Sequence, residues 1–386
     1  MRQLNIIQII SSPWWTGAAE PALLLTAGLG KRGHNMQFVC VGGDVLEERA
    51  DDSGYPRAEG VDPTRSLNPS RVWKSVGALT ALINKTNPDI VHAHLTADHW
   101  LGLASIRRSK RKPRLVRTVH HPRSAKPGIV NKYLLARATD AVIGVNNYIG
   151  GILKNRLQVP PSRIHMVRGG VDIERFRPAS IESRVNGRDI LESPDKAVLI
   201  GIVSRLAPDR GYMTLLDAFG ALAPRAPQVR LVIIGKGEYL PTIKERVAEL
   251  GLNGRVLFPG YIEKELPDVL SALDVFTLMA PGSEGTSRAL LEAMAMGLSC
   301  AVTSHNGLDE VVRDGVTAYV VPPDNPGALA AAFQTLIADK GKRIRFGRAG
   351  RQRVERQFHN GYRAEMVENI YAHVLDIAPS PKDMRQ

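Results

Sequence analysis

Short apolar runs recur along the chain, and helical stretches follow most of them. In the first half, residues 4–10, 35–41, 89–92, 115–120, 141–145 and 164–167 have the length and apolar content of strands. Strands alternating with helices predict a parallel sheet covered on both faces. Around 176–195 the chain turns polar and loses its period, which places an interdomain linker there. The alternation then restarts, with 197–203, 229–234, 256–258, 275–279, 299–303 and 318–321 as strands of a second parallel sheet. From 342 to about 377 the pattern is helical and strand-free, with Tyr362, Met366, Ile370 and Tyr371 available for an apolar side. The expected organisation is α/β: one Rossmann-like domain over 1–178, a second over 197–341, and C-terminal helices over 342–386. Ligands would then lie in a cleft between the domains, by the carboxyl ends of the strands.

Composition narrows the class. The 386 residues suffice for two domains of ordinary size, and 44% hydrophobic with 23% charged residues is globular usage. No apolar run approaches the roughly 20 residues that span a bilayer. The N-terminus reads as a first strand and not a signal peptide. Cys40 and Cys300, the only cysteines, both fall in strand-like runs and read as buried thiols. A cytoplasmic protein fits these features. The formal net charge of +13 favours anionic partners. Its densest expression is 107–117, where seven of eleven residues are basic: Arg107, Arg108, Lys110, Arg111, Lys112, Arg114 and Arg117. Such a run is either a solvated loop or a docking surface for an anionic membrane. A nucleic-acid-binding protein would interleave the charge with exposed aromatics, which make up only 5% of the chain and are missing from this run.

Two motifs fail on context. Gly28, Gly30 and Gly33 match G-x-G-x-x-G, but they close a helix and precede a strand, the reverse of a dinucleotide site. They read as a helix C-cap and turn. His92, His94 and His99 suggest zinc, yet they lack the closed ligand set of a structural site, so no metal is expected.

The most informative stretch is 283–297. Gly282, Ser283 and Gly285 break regular structure, Thr286 or Ser287 is a good N-cap, and a helix follows from Arg288. A helix N-terminus is an anion site. A diphosphate there could have a sugar near Glu284 on one side and a nucleoside within reach of Glu292 on the other. Gly17, with Ala18 and Ala19 before a helix, would likewise let backbone approach a ligand closely.

Glu284, seven residues, then Glu292, followed by Ala-Met-Ala and a Gly, resembles the signature of the retaining glycosyltransferases of family 4, which have the GT-B fold. Thr286 and Ser287 stand where that family often has an aromatic and a Gly. The resemblance extends over nearly the whole chain. The segment 17–20 is similar to the family's Gly-rich first loop, with one Gly lost. The loop from Ser204 to Gly211 resembles the family's Gly-Arg-Leu…Lys-Gly loop, which implies that Arg205 and Arg210 bind the nucleotide's phosphates, Arg210 replacing a Lys. His120 ends a strand where the family's His faces the donor sugar, with His121 the second candidate. The segment 259–262, with Ile262, falls where the family binds the base. The segment 306–310 departs from the usual Gly-Gly-x-Pro-Glu.

The resemblance implies a metal-independent hexosyltransferase that needs no cofactor and takes a nucleotide-sugar as substrate. Arg205, Arg210 and the helix end at Thr286, Ser287 and Arg288 would stabilise the leaving diphosphate, and Glu284 and His120 would orient the sugar. The acceptor would be a cell-envelope glycan or a lipid-linked acceptor, as in lipopolysaccharide biosynthesis, reached by peripheral attachment to the membrane. A nucleotide-sugar epimerase of the same fold is the alternative, and a basic nucleic-acid-binding protein is the rival from another class.

Overall fold

The computed structural model describes residues 2–12, 15–64, 66, 68–194, 196–279, 284–304 and 307–376, with 284–287 described by backbone alone. Strands form wherever the apolar runs place them. The first sheet holds β1 (Asn5–Ile10), β2 (Asn35–Cys40), β3 (Ile90–Ala93), β4 (Arg114–Val119), β5 (Ala141–Gly144) and β6 (Ile164–Met166) in the order β2-β1-β3-β4-β5-β6. The second holds β7 (Val198–Val203), β8 (Val229–Ile234), β9 (Val256–Gly260), β10 (Val275–Leu278), β11 (Ser299–Thr303) and β12 (Ala318–Val321) in the order β12-β11-β10-β7-β8-β9. All the strand pairs are parallel. The strands are nearly continuous in apolar residues because both faces are covered: Ile6, Ile7, Ile9 and Ile10 of β1 are all buried. Strand order reverses between β1 and β3 in one sheet and between β7 and β10 in the other, and ligands bind at such points.

The chain divides into two units, residues 1–170 with 360–386, and residues 171–359. These bounds differ from those the polar stretch suggested. Residues 181–190 are no linker but the helix Ile181–Ile190, started by a Ser180 hydroxyl that accepts from the Ser183 amide. It is bound into unit 2 by polar and close-packed contacts. Arg184 donates to the carbonyls of Ser271 and Leu273 and pairs with Asp274 at 2.8 Å. At Gly187 an added Cβ would sit 1.9 Å from the Asp268 carbonyl oxygen. A helix anchored by an arginine and a glycine has little apolar periodicity to read. The return to unit 1 also comes later than residue 342: helix Lys340–Gln357 buries Phe346 and Val354 in the unit 2 core. Helix Asn360–Val374 packs Ala364, Val367, Ile370 and Tyr371 against Leu25 and Leu29 of unit 1.

Gly28 and Gly30 lie within helix Ala19–Lys31 and not at its cap. Their role is close packing. A Cβ on Gly28 would stand 2.9 Å from the Ala364 methyl, and one on Gly30 would overlap the Tyr55 ring. Only Gly33, at φ +94°, makes the turn. Among the described residues, no helix is long and apolar enough to cross a membrane.

Candidate functional site

In unit 2, three loops meet at the carboxyl edge of the sheet. The first, after β7, carries Arg205 and Arg210. Arg205 is exposed, and the half-buried Arg210 has its Nε 3.4 Å from the Asp209 carboxylate. Gly211 closes this loop at φ +70°, and a Cβ there would stand 2.6 Å from the Met279 Cβ, just past β10. The loop from β7 is thereby seated against the chain leaving β10, across the point of strand reversal. The second loop, 235–237, escaped the sequence reading. A Cβ on Gly235 would lie 2.0 Å from the Ser204 carbonyl oxygen and one on Gly237 2.1 Å from that of Leu206, so both glycines are needed for backbone to lie on backbone. A Gly-Lys-Gly directly after a strand was the available signal. The third loop joins through Gly260, whose carbonyl accepts from Gly235 N–H at 2.8 Å, and through the Tyr261 ring under the Lys236 ammonium at 4.5 Å. Ile262 follows, half-buried against the unit 2 core.

The helix after β10 runs Glu284–Ala295. It begins at Glu284 and not at Arg288, so Thr286 and Ser287 belong to its first turn instead of capping it. Nothing between 286 and 295 opposes a helix, and a Gly is tolerated in a first turn. The side chains of Glu284, Thr286 and Ser287, and residues 282, 283 and 306, lie outside the described residues. Glu292 is buried, and its Oε1 accepts from Arg288 Nε at 3.0 Å. Burial pushes its carboxyl above the ordinary value, while the Arg288 and Arg175 charges pull it back. Glu292 thus stands among cations at the point where the helix enters the core.

In unit 1 the strand reversal gathers histidines. The His92 ring lies with Nδ1 2.6 Å from the Tyr371 hydroxyl and Nε2 2.7 Å from that of Thr118. His94 has Nε2 2.6 Å from Gln8 Oε1 and Nδ1 3.0 Å from His120 Nε2. The three imidazoles stack, with centroids 4.5 Å apart for His92 and His94 and 5.2 Å for His94 and His120. His99 instead meets the Thr139 hydroxyl at 2.7 Å. Burial holds the imidazoles of His92, His94 and His99 well below their ordinary pKa, so they are neutral near pH 7. His120, also buried, ends this row of stacked rings. His121 is exposed and caps a short turn by accepting from the Arg123 amide at 3.0 Å.

Asp98 was also missed, although an acid at the third position of a helix is a capping signal. Its buried carboxylate accepts from Ser11 N–H at 2.8 Å and Leu95 N–H at 2.6 Å, tying together the loops that leave β1 and β3. Gly17 is exposed two residues ahead of helix Ala19–Lys31, where the Thr16 hydroxyl accepts from Ala19 N–H at 3.2 Å.

The basic run divides on inspection. Arg117 is no surface residue: it is 1% exposed, donates to the Ala93 carbonyl at 3.4 Å, and has its pKa lowered to about 10 by burial. Lys112 donates to the carbonyls of Ile106 and Arg107 in the last turn of helix Thr96–Arg108 and to that of Ser109 just past it. Arg114 pairs with Asp140 at 3.1 Å. Arg107 and Arg108 do reach aromatics from outside the run, Tyr133 and Trp73, at 5.9 and 5.6 Å from the ring centres.

Two parallel six-stranded sheets, each in its own unit and each with a point of strand reversal, define a protein of two Rossmann-like domains. Residues 15–175 match the model of Glycosyltransferase Family 4 and residues 184–353 that of Glycosyl transferases group 1. The chain belongs to the family 4 glycosyltransferases and has their GT-B fold. It is 26% identical over 386 residues to the UDP-Gal:alpha-D-GlcNAc-diphosphoundecaprenol alpha-1,3-galactosyltransferase of Escherichia coli, covering 97% of this chain and 98% of that one. It is 32% identical over 240 residues to the mannosylfructose-phosphate synthase of Agrobacterium fabrum, covering 60% of this chain but only 52% of the synthase. The solved structure of Anabaena HepE in complex with UDP and glucose superposes with a TM-score of 0.79 at 19% identity, covering 96% of this chain and all of that one.

Proposed function

We propose that the protein is a retaining, metal-independent hexosyltransferase that moves a sugar from a nucleotide-diphosphate-sugar to a cell-envelope glycan or lipid-linked acceptor. The observation that carries this reading is the seating of the loop from β7 on the chain leaving β10 at Gly211 and Met279. It sets Arg205 and Arg210 at the strand reversal where a helix N-terminus follows, and a diphosphate is bound by such a combination of guanidinium and amide groups. Glu292 holds the ribose in this reading, with Ile262 near the base. Thr286, Ser287 and Arg288 meet the phosphates from the helix end. Glu284 and His120 position the sugar, and Gly17 lets backbone approach it. As charge develops on the leaving diphosphate, these fixed cations and dipoles stabilise it without reorganising.

The E. coli relative, whose name specifies a UDP-galactose donor and a diphosphoundecaprenol-linked acceptor, and the UDP in the HepE complex support the choice of donor and acceptor class. Docking on an anionic membrane would use Arg107 and Arg108 with the aromatics beneath them. A thermal-shift panel of UDP, GDP, ADP and their sugars tests the donor, and the anomeric configuration of the product, read by NMR, tests retention. If no nucleotide diphosphate stabilises the protein, the reading fails. Indifference of vesicle binding to lipid charge refutes the membrane part alone.

A further inference from the structure

At the amino edge of the second sheet, a surface cavity of about 420 Å³ opens where Asp274 leads into β10 and Ser299 begins β11. The loops that carry Arg205 and Arg210 lie past the other ends of these parallel strands, roughly 15 Å away by strand length. The cavity is therefore separate from them. Its size is that of a small-molecule site, and every residue that lines it is described. Met296, Leu298 and Ile344 contribute apolar surface, and Ile344 stays 60% exposed on the basic helix Lys340–Gln357.

The charges of the lining do not cancel. Asp274 is its one acid, and it is matched by Arg184 at 2.8 Å and by the Leu199 amide at 3.0 Å. Lys340 and Arg343 remain. Arg343 rests through Nη1 on the carbonyls of Leu336 and Ile337, at 2.6 and 2.9 Å, which fix the guanidinium without neutralising it. Lys340 enters no ion pair among the described residues. Asp339, its neighbour in sequence, is turned to the Lys342 amide at 2.7 Å and lies 3.7 Å from Arg345.

The walls are fixed to each other. Gly297, at φ +77°, makes the turn between helix Glu284–Ala295 and β11. A Cβ on Gly347 would stand 1.9 Å from the Gly297 carbonyl oxygen, so helix Lys340–Gln357 lies backbone to backbone on that turn. Arg351 adds a bond to the Ala295 carbonyl at 2.8 Å. The same turn ends the helix that carries Glu292, whose carbonyl accepts from Met296 N–H at 3.0 Å.

Two uncompensated cations beside apolar surface, in a cavity with braced walls, complement a compact organic phosphate. Its ester group would lie on the apolar side chains and its dianion between Lys340 and Arg343. We propose that this cavity is an effector site for such a phosphate monoester, and that occupancy steadies the end of the helix bearing Glu292.

Phenyl phosphate, titrated calorimetrically into the full-length protein, tests this. Saturable binding is expected, about tenfold or more tighter than that of inorganic phosphate or of benzyl alcohol, since each of these lacks half of the match. Lys340→Glu reverses a charge of the lining and Ala179→Trp places an indole in the cavity, both at exposed positions where the fold is spared. Each should weaken phenyl phosphate binding by about tenfold or more. Arg205→Ala, at the opposite edge of the sheet, should leave that affinity unchanged. Hydrogen exchange at the amides of 294–298 should slow by about threefold or more when phenyl phosphate saturates the protein. Equal affinity for either partial probe, wild-type affinity in both cavity variants, or a loss of binding in Arg205→Ala overturns the site. Unaltered exchange at 294–298 overturns the effector role.

Discussion

His94 and His120 face each other through Nδ1 and Nε2 at 3.0 Å, and this contact fixes which nitrogen of each ring carries a proton. Gln8 Nε2 meets the Tyr371 hydroxyl at 3.4 Å, which turns Gln8 Oε1 toward His94 Nε2. His94 therefore donates from Nε2, and its bare Nδ1 accepts from His120 Nε2–H. His94→Ala removes the acceptor and leaves buried polar atoms of Gln8 and His120 without it. A stability loss of about 1–3 kcal/mol is expected in urea denaturation. Transfer activity should fall in kcat more than in the KM for donor, since His120 is displaced and not removed. A variant as active as wild type would detach His94 from the chemistry.

In the proposed reading Glu292 holds the ribose, so Glu292→Ala should abolish the rise in melting temperature expected with nucleotide diphosphates. The fold should tolerate the change, since the carboxylate is a buried charge whose removal also relieves burial. Retention of the full thermal shift would show that Glu292 serves only to hold Arg288.

Gly237→Ala forces a methyl to within 2.1 Å of the Leu206 carbonyl oxygen and must push the loop carrying Arg205 away from 235–237. A loss of about 1–3 kcal/mol in stability is expected, accompanied by weaker nucleotide binding in calorimetry. Unchanged binding would mean that Arg205 is not held by this backbone contact.

Asp98→Ala should rank among the most destabilising single changes in unit 1. It strands the amides of Ser11, His94 and Leu95 and leaves the buried Arg117 without its nearby negative charge, a loss of about 3–5 kcal/mol measurable by chemical denaturation.

Acid should weaken the fold early. The folded-state pKa values of His92, His94 and His99 lie well below 6.5 because burial opposes their charge. The unfolded chain therefore takes up these protons first. Their contribution is complete above the unfolded pKa and is lost as pH falls below it toward the folded value, by up to about 1.4 kcal/mol per pH unit for each ring. The buried carboxyls of Asp98 and Glu292, raised by burial, act in the opposite sense at lower pH. Urea midpoints measured between about pH 7.5 and 5 should decline steadily; a flat profile would contradict the neutral-ring assignment.

The strands were legible because two-sided burial demands unbroken apolar runs, as in β1 and β7. The helix Ile181–Ile190 was not, since Arg184 and Gly187 attach it through polar and close-packed contacts that leave no period. Arg205 and Arg210 could be singled out from their loop, whereas Gly235 and Gly237 show their purpose only once Ser204 and Leu206 lie against them. Arg117 misled for a simple reason: a basic residue in a basic run reads as solvated, and only β4, placed at the centre of its sheet, reveals it as interior. Gln8 carried no signal, for a lone amide in an apolar strand says nothing of the rings it will meet.

Tyr371 reaches His92 and Gln8 from the last described helix, more than 270 residues downstream of either. Unit 1 is thus assembled from segments on both sides of unit 2 and cannot be completed before the second of them is made. A nascent polypeptide can complete residues 171–359 while the histidine cluster still lacks its phenol. Maturation of the wall that carries His92 and His94 is deferred until Tyr371 has been made, and a stop between residue 359 and Tyr371 should release a chain with unit 2 intact and unit 1 unsealed.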